Sequence, residues 1–418
     1  MNYKKKYRNK HKKTKNKEHP QWRVLLADWS DSEVTAELPH LFKQAGCVVD
    51  VFCSQNSWLI KNSNWDNHIP SLGLSMQRYA EKIHSLASTK KYDWIVLVDD
   101  MTLGIVNSFL GDDDIARFVL PVLNQENRIM LNSKAGLHTL SVQNNILCPQ
   151  GEIYRGQNIE DMLCKVSFPV LIKVDKSGGG KGIYLCEDKP QFLTQFNTLD
   201  EGQKKDVVIQ EYIEGDNISV EALFKNGSVI AYSTSVVTKN TISEFSVSMS
   251  RVYVIIPEMK DILENIAKKL SLNGFSSMTF IRGDESKKYY LVEADMRAHR
   301  WFSLTRHVGV DFSLAIKHFL QNKKVSPQSN QKEMVMLHFP RIMMCAMREN
   351  DFKEIGRWVC NVENRWKFIP WHDKKLLIEI SKKLTLRYLW HIYGLRIFFV
   401  IRPLVKSSRK KLRSVLHS

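Results

Sequence analysis

The residues of this chain that most clearly could do chemistry form a short glycine-rich run. Residues 177–182 read SGGGKG and follow an apolar stretch of strand length, residues 168–173 (FPVLIK). Adjacent glycines let backbone N–H groups turn toward an anion without obstruction by a Cβ atom, and Lys181 adds a positive charge. Lys173 ends the strand, where its ammonium group can reach the same anion. The run predicts a phosphate-binding loop, and an ordinary flexible turn is the simpler alternative.

A second group of reactive side chains lies in residues 291–297, LVEADMR. Residues two apart in a strand share a face, so Glu293, Asp295 and Arg297 should project together. Two carboxylates are hard oxygen ligands of the kind that hold Mg²⁺ together with substrate phosphates. Arg297, with His299 and Arg300 after it, adds positive charge for an anion. A solvated charged face is the alternative interpretation.

The first third of the chain contains apolar runs of strand length that alternate with helical spacing. The pattern predicts strands at residues 23–27, 47–53 and 94–98, and helices at residues 32–45 and 76–87. Such alternation is typical of a parallel sheet with helices on both faces, where ligands bind at the carboxyl ends of strands. Asp99 and Asp100 follow the third strand at such an end. They are equally well explained as ligand-binding residues and as acids that only terminate a strand.

From about residue 131 the pattern changes to hairpins. A helix over residues 132–142 would carry Lys134 in its first turn, and strands follow at residues 183–186 and 207–213. Asn226–Gly227 is a strong turn signal between two further strands. The remaining predicted elements are strands at residues 219–224, 229–235, 277–281 and 289–295, and a helix at residues 260–272. This part of the chain is therefore α+β.

Taken in order, these segments resemble the ATP-grasp superfamily, and most closely its carboxylate–amine ligase branch, which includes carbamoyl-phosphate-synthetase-like and amino-acid-ligase-like domains. The resemblance extends from about residue 22 to residue 320, roughly three quarters of the chain. It rests on NSKAGLHTL, FPVLIK, SGGGKG, VVIQEYIEGDNISVEAL and YLVEADMR, in the family's order. It implies a Rossmann-like α/β domain followed by an α+β ATP-grasp fold.

The resemblance also implies an ATP site. Lys134 matches the lysine that reaches ATP from the first helix of the fold, and Lys173 matches the strand lysine on the α-phosphate. The lid over the β- and γ-phosphates would be Ser177, Gly178, Gly179, Gly180, Lys181 and Gly182. The linker whose backbone contacts adenine would be Gln210, Glu211, Tyr212 and Ile213. Asp216 or Asn217 falls where the family usually places a carboxylate on the ribose.

Glu293 and Asp295 match the metal pair, for Mg²⁺ or alternatively Mn²⁺, and Arg297 matches the cation beside the transferred phosphoryl group. Thr279 departs from the family, which normally has a third acidic ligand there. At Asp295 the chain instead gains an acid, because the family usually has Asn there. The predicted site therefore keeps two carboxylates, Glu293 and Asp295, and two suffice for Mg²⁺ with phosphates and waters.

The resemblance implies an ATP-dependent ligase that joins a small carboxylate to an amine through an acyl phosphate. Arg297 and Lys173 would act in catalysis. One alternative is an ATP-grasp kinase that phosphorylates a hydroxyl group. Another is a non-catalytic ATP-binding scaffold with basic tails.

Charge is concentrated at the two ends of the chain. The net charge is +17, of which residues 1–17 carry +9 and residues 374–418 carry +11, so residues 18–373 carry −3. Seven scattered cysteines without a CxxC pair indicate a reducing compartment, and we expect a cytoplasmic protein. The predicted units are a disordered basic arm (1–20), a Rossmann-like domain (21–130), an ATP-grasp domain (131–325) and a C-terminal extension (326–418).

The C-terminal extension is basic and rich in aromatic residues. Residues 384–405 read LTLRYLWHIYGLRIFFVIRPLV, with a basic cluster after them. Charges interrupt the apolar run, which argues against a spanning helix and favours a segment lying on an anionic membrane surface, on the inner face of a membrane. Packing on the body of the protein is the equally weighted alternative. Nucleic acid is a less favoured partner because no fold motif supports it.

Overall fold

The first folded unit is a four-stranded parallel sheet. The computed structural model describes residues 22–111, 114–323 and 331–385. The strands are β1 (Arg23–Ala27), β2 (Val48–Cys53), β3 (Asn67–Pro70) and β4 (Trp94–Leu97), in the order β3-β2-β1-β4. The predicted parallel sheet is therefore confirmed, and its carboxyl edge lies beside Asp99.

Helices cover both faces of this sheet. They are α1 (Leu38–Gln44), α2 (Met76–Ser88), α3 (Asp100–Phe109) and α4 (Asp114–Val119), with 3-10 helices at Glu33–Thr35 and Gln125–Met130. Leu25 packs with α2 and α3, whereas its neighbours Val24 and Leu26 pack with α1. The prediction of one helix over residues 32–45 was wrong. Pro39 lacks an N–H group, so it fits only in the first turn, and α1 begins at Leu38.

A small antiparallel sheet follows, with the strand order β5-β8-β6-β7. Its elements are α5 (Lys134–Gln143), β5 (Gly151–Tyr154), α6 (Ile159–Leu163), β6 (Val170–Lys173), β7 (Ile183–Cys186), α7 (Lys189–Asn197), α8 (Glu201–Lys204) and β8 (Val207–Glu211). The strand predicted from residue 168 begins at Val170, because Pro169 has no N–H group for the ladder. Lys134 does lie in the first turn of its helix.

A six-stranded antiparallel sheet forms the other half of this region, in the order β13-β12-β9-β10-β11-β14. The strands are β9 (Gly215–Lys225), β10 (Ser228–Asn240), β11 (Ser248–Tyr253), β12 (Gly274–Gly283), β13 (Tyr289–Asp295) and β14 (Met334–Leu337). The helices are α9 (Met259–Leu270), α10 (Arg300–Leu304) and α11 (Phe312–Leu320), with a 3-10 helix at Thr305–Val308. The hairpin across Asn226 and Gly227 is confirmed, and both residues have positive φ.

Aromatic stacking joins the parallel sheet to the six-stranded sheet. The ring of Trp94 in β4 lies 5.4 Å from that of Phe275 in β12 and 4.1 Å from that of Phe319 in α11. Apolar residues of both sheets continue into the same two buried clusters. The parallel sheet is thus fixed against the body that carries the glycine-rich loop and the acidic strand.

The chain after β14 packs back onto the N-terminal unit. It forms α12 (Arg341–Glu349), α13 (Phe352–Val359), a 3-10 helix at Val362–Phe368 and a further helix, α14, from residue 374 to at least residue 385. Leu376 and Ile380 of α14 are buried against Ala36 and Trp58. Asp373 accepts hydrogen bonds from Ser63 N at 2.7 Å and from Asn64 Nδ2 at 2.6 Å.

Most of the segment predicted to lie on a membrane falls outside the described residues. Leu384 is described, and it packs against the buried clusters of the C-terminal region. Over the described parts of the chain, the structure contains no helix with the length and apolar character needed to cross a bilayer. Membrane-surface binding through residues 374–418 remains a prediction.

We expect Ile380→Ala to lower the free energy of unfolding by about 2–4 kcal/mol, because the substitution leaves a cavity beneath Trp58. The matched control is Ile378→Ala in the same helix, whose side chain is 56% exposed. It should change stability by less than about 0.5 kcal/mol. Urea denaturation of both variants makes the comparison, and equal losses would show that α14 does not dock as described.

Candidate functional site

A cavity of about 510 Å³ opens between the small antiparallel sheet and the six-stranded sheet. Most of the residues selected from the sequence line it. They are Lys134, Lys173, Ser177, Gly179, Gly180, Gln210, Glu211, Tyr212, Ile213, Asp216, Asn217, Glu293, Asp295 and Arg297. Segments more than 100 positions apart are thus brought to one place, while the roles assigned to them remain predictions.

Lys173 is a buried cation in the floor of the cavity. It comes from the end of β6, and its Nζ donates to Gln210 Oε1 at 2.6 Å. Gln210 is itself oriented by hydrogen bonds of its Nε2 with His138 Nδ1 and Pro149 O, each at 3.3 Å. Burial lowers the pKa of Lys173 to about 8; Glu293 opposes the shift and Lys134 adds to it. An anion in the cavity would therefore meet a positioned, poorly solvated cation.

The glycine-rich loop is held from both sides. Lys134 Nζ donates to Ser177 O and, at 3.2 Å, to Ser177 Oγ. Asp175 accepts from Lys134 N at 2.7 Å, which fixes the first turn of α5 beside the loop. Gly180 has φ of +79°, and a Cβ atom there would lie 2.3 Å from Phe245 O. The loop therefore packs directly on the backbone of the β10–β11 connection.

Three residues of the predicted lid do not line the cavity: Gly178, Lys181 and Gly182. Lys181 is exposed, because the chain turns through positive φ at Gly179, Gly180 and Gly182 and carries this lysine outward. The role of Lys181 at the anion site remains a prediction.

The predicted adenine linker follows β8 at the cavity edge. Glu211 N donates to Gln150 O at 2.8 Å and Tyr212 N donates to Pro169 O at 3.0 Å. Tyr212 Oη donates to Glu244 Oε1 at 3.0 Å, which links the linker to the β10–β11 connection. Asp216 is exposed, whereas Asn217 Oδ1 is buried and has no hydrogen-bond partner among the described residues. Asn217 thus presents an acceptor that a ligand hydroxyl could satisfy.

The acidic strand β13 pairs with β12, and this register places Thr279 among the neighbours of the two carboxylates. Thr279 lies opposite Glu293, and Ser277 lies opposite Asp295. The residue in place of the family's third acid is therefore directly beside Glu293. Burial and the nearby Asp100 and Glu293 carboxylates raise the pKa of Asp295, and Arg297 opposes that shift.

Arg297 bridges the two halves of the molecule. Its Nη2 lies 2.9 Å from Asp295 Oδ2, and its Nε donates to Asp100 Oδ2 at 2.7 Å. Asp100 belongs to the first turn of α3, so the carboxyl edge of the parallel sheet does reach the cavity. Asp99, in contrast, caps α3 by accepting from Thr102 N at 2.9 Å. One acid of the pair is thus structural and the other pairs with a cavity-lining cation.

Glu293 and Asp295 are suitable for a hard divalent cation. Both are carboxylates that line the cavity beside the glycine-rich loop, and Mg²⁺ is typically held by one or two carboxylates plus phosphate oxygens. Within residues 22–111, 114–323 and 331–385, no group of three His, Cys, Asp or Glu side chains is close enough to hold a metal ion without such a ligand. The residues present fit a metal that arrives with a phosphate.

Sequence reasoning missed three residues of the cavity wall, Arg251, His338 and Arg341. They line the cavity together with His299 and Arg300, which the sequence did indicate. Arg251 could have been noticed as a charge inside the alternating strand SMSRVY. Nothing local marks His338 or Arg341, because they reach the cavity only through the pairing of β14 with β11.

Comparison with known proteins finds similarity to one family over part of the chain. Residues 137–299 match the family model described as "ATP-grasp domain". Carbamoyl-phosphate synthase of Methanobrevibacter smithii is 25% identical over 158 residues, which cover 36% of this chain and 41% of that protein. This chain spans less than half the length of the curated relatives that it matches.

Solved structures show the same fold at low identity. N5-carboxyaminoimidazole synthetase from Staphylococcus aureus, complexed with ADP, has a TM-score of 0.61 at 12% identity, over 81% of this chain and 87% of that one. The biotin carboxylase domain of Hydrogenobacter thermophilus 2-oxoglutarate carboxylase, solved with MgADP and bicarbonate, has a TM-score of 0.58 at 16% identity, over 77% and 75%. The resemblance inferred from the sequence is confirmed.

We expect Gly180→Ala to lower the free energy of unfolding by more than about 1 kcal/mol, because a Cβ atom would meet Phe245 O in a positive-φ conformation. Gly178→Ala is the matched control, since no heavy atom lies within 4 Å of its added Cβ atom. It should stay within about 0.5 kcal/mol of the parent. Thermal unfolding of both variants distinguishes a packed loop from a free one, for which the two substitutions would act alike.

Lys173 should also leave a signature in the pH dependence of stability. Its pKa of about 8 in the folded protein is below its ordinary value of 10.5, so the unfolded chain binds more protons between these values. Stability contributed by this group therefore rises with pH. Relative to Lys173→Met, the unfolding free energy of the parent should increase by about 2 kcal/mol from pH 8 to pH 10. Urea titrations measure the unfolding free energies of the two proteins. A difference between them that does not change with pH would show that the pKa of Lys173 is not lowered in the folded protein.

Proposed function

We propose that this chain, whose residues 137–299 match the ATP-grasp domain model, uses ATP to activate a carboxylate as an acyl phosphate and then joins it to an amine. The observation that carries the proposal is the convergence in one cavity of two lysines, a glycine-rich loop, two carboxylates and Arg297. Phosphoryl transfer needs mainly positioning and electrostatic stabilisation, and these groups supply both. None of the steps requires a covalent protein nucleophile.

The triphosphate would lie between Lys173 and the glycine-rich loop. Lys173, desolvated and held by Gln210, would meet the phosphate nearest the nucleoside. The backbone of Gly179 and Gly180, anchored on Phe245, would cover the outer phosphates. The edge formed by Gln210–Ile213 would take the adenine, and the unsatisfied Asn217 Oδ1 would accept from a ribose hydroxyl. Asn217 therefore suits the ribose better than the exposed Asp216.

The reacting end would lie beside β13. A substrate carboxylate oxygen attacks the γ-phosphorus, ADP leaves, and the amine then attacks the acyl carbon and displaces phosphate. Glu293 and Asp295 would hold Mg²⁺, which when bound supplies positive charge to the phosphoryl oxygens. Arg297 stays protonated beside Asp100 and Asp295, so it adds a fixed positive charge at the same place.

The decisive experiment screens amino acids and small carboxylates for ADP release, with and without amines, at saturating Mg²⁺. Hydroxylamine should trap the acyl phosphate as a hydroxamate. A stable phosphorylated product formed on a hydroxyl group would instead identify a kinase. Retained ATP binding with no turnover would identify a non-catalytic scaffold.

Glu293→Ala should reduce ADP release by about 10- to 100-fold, because a charge-assisted contact is worth about 1.5–3 kcal/mol. Glu285→Ala, in the exposed turn between β12 and β13, is the matched control and should leave the rate unchanged. Circular dichroism verifies that both variants are folded. A Glu293→Ala protein as active as the Glu285→Ala protein would refute the assigned site.

Asp295→Asn should raise the Mg²⁺ concentration needed for half-maximal ADP release by tenfold or more. The substitution removes the negative charge of one of the two proposed ligands, but it also removes an ion pair to Arg297. Asp100→Asn is the matched control because it loses the other ion pair of Arg297 and no proposed metal ligand. The same Mg²⁺ dependence in both variants would place the metal elsewhere.

A further inference from the structure

Part of the cavity wall is formed by three guanidinium groups and a histidine. We call the group formed by Arg251, Arg300, Arg341 and His338 the arginine subsite. Arg300, His338 and Arg341 follow residue 299, where the match to the ATP-grasp family model ends. The four residues come from β11, from α10, from the residue after β14 and from the start of α12. This subsite is distinct from the residues assigned above to ATP and the metal.

Arg251 is fixed rather than free to move. Its Nη1 pairs with Glu221 Oε1 at 2.5 Å, and its Nε donates to Ser248 Oγ at 2.9 Å. Its guanidinium carbon lies 4.4 Å from the ring centroid of Trp301. Glu221 is fully buried, so the ion pair holds this arginine in place at the cavity wall without solvent. Such preorganisation favours recognition of a ligand by geometry.

Arg300 and Arg341 are held from behind by acids of the N-terminal unit. Arg300 Nη2 lies 2.9 Å from Glu37 Oε1 and donates to Phe368 O at 3.0 Å. Arg341 Nε lies 3.4 Å from Glu33 Oε1. Glu33 also pairs with Lys383, so it is shared between two cations. The counter-charge on Arg341 is therefore only partial.

Two buried polar atoms of the subsite have no partner among the described residues, His338 Nδ1 and Arg300 Nε. His338 is 3% exposed and Arg300 is 6% exposed, yet both line the cavity. Buried polar atoms are nearly always hydrogen-bonded, and leaving one unsatisfied costs about 1–3 kcal/mol. A ligand in the cavity would satisfy them.

The charges in the subsite also oppose one another. Burial and the neighbouring Arg341 lower the pKa of Arg300, and burial and Arg341, Arg300 and Arg251 hold the pKa of His338 well below its usual range. His338 is therefore neutral and can act as a donor or an acceptor. An anion placed among the three guanidinium groups would relieve their repulsion, and guanidinium groups bind carboxylate and phosphate with two parallel hydrogen bonds.

We propose that the arginine subsite binds a second anionic group of the acceptor substrate, a carboxylate or a phosphate ester remote from the carboxylate that is activated. The proposal rests on the proposed function, in which the activated carboxylate lies at Arg297 beside the metal pair. The substrate is then a dianionic acid. It spans from Arg297 to the subsite, with Trp301 and His338 packed edge to face behind the second anion.

Calorimetric binding to the full chain, with a non-hydrolysable ATP analogue and Mg²⁺ present, tests the proposal. The probes are succinate, glutarate and adipate as dicarboxylates, 3-phosphoglycerate as a phosphate ester acid, and butyrate as a monocarboxylate. At least one dianion should bind tenfold or more tightly than butyrate. If a dicarboxylate binds most tightly, the second anionic group is a carboxylate; if 3-phosphoglycerate does, it is a phosphate ester. Equal affinities, or no binding by any dianion, would overturn the proposal.

Arg341→Met should remove at least tenfold of the preference for the dianion. Glu33 keeps Lys383 as its partner in this variant, so no buried acid is left alone. The matched control is Arg348→Met in the same helix, which pairs with exposed Glu349 and should retain the full preference. If Arg341→Met does not fold, Arg341→Lys replaces it, since an ammonium group cannot reproduce the two-pronged contact. A preference unchanged in the folded variant would overturn the proposal.

The outcome can be separated from that of the proposed function. Dianion binding that depends on Arg341, without ADP release, would retain the subsite and reject the ligase activity. ADP release driven equally by butyrate and by dianions would retain the activity and reject the subsite. Affinity for the ATP analogue, measured in both variants, should change by less than twofold, because neither arginine is assigned to the nucleotide.

Discussion

The ion pairs of Arg297 with Asp100 and Asp295 are the interaction on which the arrangement of the cavity depends. Asp295 comes from the six-stranded sheet and Asp100 from the helix that leaves the parallel sheet, so one guanidinium group ties the two units together beside the cavity. Two acids around one cation leave a residual negative charge, which the nearby lysines offset. The stacking of Trp94 on Phe275 and Phe319 holds the same two units together from the apolar side. Polar and apolar contacts therefore fix one geometry.

The parts of the site that could be predicted are those with a local physical signature. Gly179 and Gly180 indicate a backbone with positive φ, and Asn226–Gly227 indicates a hairpin. The spacing of Glu293 and Asp295 indicates two side chains on one face of a strand. Each of these follows from φ/ψ preference or from the two-residue period of a strand. The resemblance to the ATP-grasp family indicated how the segments follow one another. Thr279, where that family normally has an acid, lies opposite Glu293.

The parts that could not be predicted depend on contacts between distant segments. The broken helix before α1 could have been expected from Pro39. The outward direction of Lys181 instead follows from positive φ at Gly179 and Gly180 before it and at Gly182 after it. Arg341 and His338 reach the cavity only because β14 pairs at the edge of the six-stranded sheet. Glu33 and Glu37, which pair with Arg341 and Arg300, precede them by 308 and 263 positions. The hydrophobic periodicity of a sequence cannot predict an ion pair between residues so far apart in the chain.

The contact of Glu33 with Lys383 spans 350 positions and has a consequence for biosynthesis. The four strands of the parallel sheet lie between Arg23 and Leu97, so they are synthesised long before the residues that pair with Glu33 and Glu37. Until residues 300–383 follow, Glu33 and Glu37 face solvent without their cationic partners. The order of synthesis therefore separates two events in time, with the nucleotide-facing loop completed well before the arginine subsite. The arginine subsite, which needs Arg341, is therefore the last part of the cavity to be completed during synthesis.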